Sequence, residues 1–107
     1  MAITAVSFSL SEEEAAAAQW AIGEWVATFA QVVAKGHMRR SPPAPALDGM
    51  TLRLPLNIDA LEELDYQLTI GMRDHEERMP VGLDPAVGKR LATRIRTELP
   101  AGMRLSV

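Results

Sequence analysis

An α+β fold is predicted by three observations: single-sided alternation of apolar residues in three short segments, helical periodicity in three longer ones, and a length of 107 residues. Strands with one apolar face need covering on that face only. The expected architecture is therefore a small two-layer domain, a three-stranded sheet with helices on one face, in the order β-α-β-α-α-β. The length suits a single domain over residues 1–107 with one core, interrupted by a Pro-rich linker at 36–49.

The first strand ends in Val6, Phe8 and Leu10, alternating with Ser7 and Ser9. Ser11 and Glu14 then form the sequence of a reciprocal capping box, and Glu12, Glu13 and Glu14 place negative charge at the positive end of a helix dipole. The helix runs from Glu12 to Lys35, where Gly36 suits the left-handed cap. It would be roughly 35 Å long at the standard rise. Residues 36–49 carry Pro42, Pro43 and Pro45 and the turn dipeptide Asp48-Gly49. A second strand, Met50 to Asn57, directs Leu52, Leu54 and Leu56 inward and Thr51, Arg53 and Asn57 outward, with Pro55 at an edge or outward position. A third strand is expected where Met103, Leu105 and Val107 alternate with Arg104 and Ser106.

Two periodicities compete between Asn57 and Met79. Tyr66 to Arg73 alternates as a strand does; with that strand the order becomes the ferredoxin-like βαββαβ. As a helix capped by Asp59, the same segment puts Leu61, Leu64, Leu68, Met72 and Met79 on one stripe, with acids early and Arg73 and Arg78 late. The helix is the preferred reading, with a break expected near Thr69-Ile70-Gly71. The last helix is capped by Asp84, opens with Pro85, carries Val87, Leu91, Ile95 and Leu99 inward, and stops at Pro100.

Composition excludes several chemistries. Without cysteine there is no thiol nucleophile, redox pair or thiolate metal site. A net charge of −3 argues against a general nucleic-acid surface. Met1 to Leu10 has neither the basic start nor the apolar run of a secretory signal, and the Ala15–Ala34 stretch is too polar to favour a bilayer. A cytoplasmic protein with no membrane contact is expected.

The catalytic motifs fail residue by residue. His75-Glu76-Glu77-Arg78-Met79 has Met where a zinc-binding HExxH needs its second His. Gly82 and Gly88 enclose five residues where a phosphate loop needs four, and Arg90 replaces its Ser or Thr. No serine lies in a GxSxG context. No enzyme, metal or cofactor is therefore expected, and a small-ligand role for His75 requires that it line an open cavity. Lys35, His37, Arg39 and Arg40 form the densest basic cluster, a candidate contact for an acidic partner or phosphate. Arg39 also begins an Arg-x-x-Pro-x-x-Pro spacing suited to a polyproline ligand.

The first helix carries the most information. Ile22, Trp25, Val26, Phe29, Val32 and Val33 share one bulky stripe, expected to be core. On the opposite side, Ala16, Trp20, Gly23, Ala27, Ala30 and Ala34 step by four and three, a heptad seam of small residues with one Trp. Such a seam admits a second helix at close range, from the same chain or from a second copy. The expected function is a non-enzymatic association domain, a homodimerising regulatory, adaptor or complex-forming subunit. Its interface would be formed by Trp20, Gly23, Ala27, Ala30 and Ala34.

Met50-Thr51-Leu52-Arg53-Leu54-Pro55, followed by Leu61-Glu62-Glu63-Leu64-Asp65 and Ile70-Gly71, resembles the opening of a ribbon-helix-helix DNA-binding regulator. The resemblance covers residues 50–71 and implies an intermolecular ribbon that reads the major groove through Thr51 and Arg53. It departs from that family at Pro80, where the long second helix should still be running.

Overall fold

The computed structural model describes residues 4–99, which form an α+β domain with an antiparallel three-stranded sheet. β1 (Ala5–Ser9) leads into α1 (Glu12–Ala34). β2 (Ala46–Asp48) and β3 (Thr51–Pro55) make a hairpin, and β3 lies between the other two in the order β1-β3-β2. The strand expected at 103–107 lies outside the described residues.

Register explains the burial pattern. Val6 lies opposite Leu54, and Phe8 and Leu47 both lie opposite Leu52, so these residues share the face beneath the helices. Ser7, Ser9, Thr51 and Arg53 are exposed on the other face. β2 was hidden in the sequence because three residues flanked by proline show no alternation. Its turn is Gly49-Met50, with only Gly49 at positive φ (60°), the arrangement of a type II′ hairpin. Pro55 is buried at the end of β3, beyond the last residue that β2 reaches, and so removes no hydrogen bond from that pair.

α1 starts and stops as its caps dictate. Ser11 Oγ accepts from the Glu14 amide at 3.2 Å while Glu14 Oε1 accepts from the Ser11 amide at 2.9 Å. At the other end Gly36 (φ 79°) donates to Val33 and His37 to Val32, a Schellman closure.

The stretch that read two ways is helical, which corrects the ferredoxin-like alternative. α2 (Ile58–Tyr66) continues through a π turn (Gln67–Gly71) into α3 (Met72–Asp74), and a 3₁₀ turn follows at Glu76–Arg78. The cap is Asn57, whose Oδ1 accepts from Ala60 at 3.1 Å, and not Asp59. The expected break near Gly71 takes the form of the π turn. Leu64, Leu68 and Met72 recur every four residues, so a regular α-helix would rotate them steadily off the core line; the wider turn absorbs that drift and all three are buried. Thr69 Oγ1 donates to the Asp65 carbonyl at 2.8 Å, satisfying the backbone where the ladder changes. α4 (Pro85–Glu98) follows the Asp84 cap, with Val87, Leu91 and Ile95 inward.

Candidate interaction surface

The core side of α1 differs from the expected stripe. Ala17, Ala18, Ala21, Trp25 and Phe29 are buried, whereas Ile22, Val32 and Val33 are only half-buried and Val26 is 50% exposed. The inward face is thus rotated by less than one residue step from the prediction. Small residues explain the choice: three alanines bring α1 close to its neighbours, while Trp25 and Phe29, with ring centroids 4.6 Å apart, fill the space beyond. Trp25 Nε1 donates to the Ala60 carbonyl at 3.0 Å, an anchor that a hydrophobicity count does not register.

The seam on the other side is open. Ala16, Gly23, Ala27, Ala30 and Ala34 are exposed, and no helix among the described residues covers them. Val26, displaced from the core, joins this face. Between Ala15 and Ala34 the one charged residue is Glu24, and Arg78 Nη2 holds it at 2.7 Å. The outward side of α1 is consequently apolar or neutral over about five turns.

Trp20 is half-buried and departs from the rest of the seam. It borders an apolar pocket of about 520 Å³ with Ala16, Gln19 and the 80–83 loop, where Val81 is fully exposed. The apolar surface therefore continues from the helix onto that loop. Pro80 to Leu83 showed no such role in the sequence, since nothing there fixes its position against α1.

The alternative site residues fall elsewhere. Thr51 and Arg53 are exposed on the outer sheet face, but β3 is paired along one edge by β1 over all five residues and along the other by β2 at 51–53. An intermolecular ribbon needs a free edge, and β3 has none at those positions. Arg39 and Arg40 are exposed on the linker. His37 and His75 both line a polar cavity of about 390 Å³ that also includes Glu24, Ala27, Lys35, Gln67 and Arg78.

A second groove, of about 550 Å³, is lined by Phe29, Met38 and Tyr66 and by the acids Asp59, Glu62 and Glu63. Burial raises the Glu63 carboxyl above the usual range, opposed by a hydrogen bond from Gln67. Asp65 in the same groove is held by Arg96, with Nε to Oδ1 at 2.7 Å. Among the described residues no three His, Cys, Asp or Glu side chains are grouped to hold a metal ion, and no helix is long and apolar enough to cross a membrane.

No protein-family model matches the chain, and no curated protein or solved structure matches it significantly.

Proposed function

We propose that this protein is a non-enzymatic association domain that dimerises through the outward face of α1, serving as a regulatory, adaptor or complex-forming subunit. One observation carries the reading: five turns of exposed helix with small or neutral side chains, whose single charge is already engaged by Arg78. Gly23, Ala27, Ala30 and Ala34 let a second helix approach closely, and two copies of one face satisfy the self-complementarity of a two-fold interface. Trp20 and Val81 extend the patch beyond a bare helix pair, toward the roughly 800 Å² per partner of a specific interface. Trp is also a residue that concentrates binding energy at such contacts.

Sedimentation equilibrium tests the reading. The wild type is expected to be dimeric at micromolar concentration, and Ala27→Glu to be monomeric with unchanged circular dichroism, because position 27 is exposed. Trp20→Ala should weaken the dimer. A wild type that stays monomeric at high concentration would end the proposal.

A further inference from the structure

The outward seam of α1 has the same spacing in both directions. Ala16, Trp20, Gly23, Ala27, Ala30 and Ala34 step by four, three, four, three and four, so a copy running the opposite way meets the seam position for position about a centre at residue 25. Trp20 then faces the partner's Ala30, Gly23 faces the partner's Ala27, and Ala16 faces the partner's Ala34. Each level of the contact holds at most one bulky side chain. A parallel pair in register would set two indoles at one level and two glycines at the next, a crowded layer beside a void.

Charge selects the same direction. Glu12 and Glu13 are exposed at the start of α1, Lys35 is exposed just past its end, and the one charge between them, Glu24, is held by Arg78. Among the described residues Glu12 and Lys35 enter no ion pair, and Glu13 has only a contact with Arg90 at 3.7 Å between two well-exposed side chains. At the helical turn of about 100° per residue, Glu13 and Lys35 flank the seam on the same side. A two-fold axis between antiparallel helices keeps that side common to both copies, and sets Glu13 within about 3 Å, measured along the helix, of the partner's Lys35. Val26 flanks the other side, one residue from the centre, so this exposed aliphatic side chain meets its own copy and is covered. Parallel helices would place acid beside acid and base beside base, with their dipoles aligned.

We infer that the second copy docks antiparallel on α1, with the two-fold axis at residue 25 and Glu13 of each copy paired with Lys35 of the other. The inference rests on the dimer proposed above and adds its direction and register.

Cysteine cross-linking tests it in a chain that has no cysteine of its own. Ala16→Cys and Ala34→Cys are prepared as separate full-length proteins, both at exposed positions. The two sites lie roughly 27 Å apart along the helix, too far to be joined within one chain. With a short bismaleimide, neither protein alone should form a covalent dimer. Their equimolar mixture should do so in about half of the chains, the share that random exchange places in mixed dimers. Lys35→Glu should weaken the dimer about tenfold, and adding Glu13→Lys should recover most of that loss. A dimer by sedimentation in which either cysteine protein cross-links alone, or in which the mixture does not cross-link, would overturn the antiparallel register and leave the dimer standing; so would a charge swap that recovers nothing. Sedimentation of the wild type as a monomer at the same concentrations would remove the dimer itself, and the register with it.

Discussion

Gly88 of α4 lies against the Leu68 carbonyl of the π turn so closely that a Cβ on Gly88 would stand 2.5 Å from the oxygen. That neighbour is backbone and cannot swing aside. In an exposed helix Gly→Ala gains about 1 kcal/mol in propensity. Here the overpacking is expected to dominate, and Gly88→Ala should lose about 1–3 kcal/mol in urea denaturation. Gly71→Ala meets only the amide end of Gln67, a group that can rotate away, so its stability loss should be smaller. Equal or greater stability of Gly88→Ala would show that the π turn does not need its close contact with α4.

Arg96 joins the last helix to α2 through both oxygens of Asp65, with Nε to Oδ1 at 2.7 Å. The Asp65 side chain is only 13% exposed, and its hydrogen bond is the main reason the Arg96 guanidinium is held above its ordinary value. Arg96→Met should cost about 2 kcal/mol, less than a fully buried pair because Arg96 remains partly solvated. Most of that loss would come from stranding the carboxylate. Adding Asp65→Asn to Arg96→Met should therefore restore part of the stability, a non-additivity that chemical denaturation of the three variants measures.

Local signals read well where the chain decides its own structure. Ser11-x-x-Glu14, Gly36, and Asp84-Pro85 act within a few residues, and each forms the cap its sequence implies. The resolution of Tyr66–Arg73 into helix followed from Leu61, Leu64, Leu68 and Met72, all of which are buried. What stayed hidden depends on partners distant in sequence. Trp25 is turned inward by the Ala60 carbonyl, and Ala46–Asp48 becomes a strand because β3 is already present to pair with it. That His37 and His75 line one cavity has no local signature either, since it depends on how α1 packs on the π turn. The small-residue seam was legible as a pattern, while its exposure required knowing where every other helix lies.

Two glutamates should give opposite pH signatures. The Ser11 amide, with Arg94 adding to it, holds the Glu14 carboxyl below its ordinary range. Its contribution is present above the unfolded value and is lost as pH falls through the folded one. Glu63 is raised, so its ionised form opposes folding at neutral pH and the penalty disappears below the unfolded value. Glu63→Gln should accordingly raise the melting temperature at pH 7 and leave it nearly unchanged near pH 3. Glu14→Gln should lower it at pH 7, with the difference closing in acid. A Glu63→Gln protein less stable than wild type at pH 7 would mean that the carboxylate's bond to Gln67 outweighs its desolvation.

The two tryptophans allow association to be followed spectroscopically. Trp25 is 2% exposed and bonded to Ala60, so its emission should be blue and insensitive to concentration. Trp20 is half-buried on the proposed interface. Trp25→Phe removes the indole hydrogen bond to the Ala60 carbonyl, which keeps its helical partner, at a loss of about 1 kcal/mol, and makes Trp20 the only tryptophan. In that protein, dilution from a dimeric to a monomeric concentration should shift the emission to the red as Trp20 becomes wetter. Adding Ala27→Glu should fix the emission at its dilute position at every concentration. A concentration-independent spectrum in a protein that sediments as a dimer would move the interface away from Trp20 and onto another face.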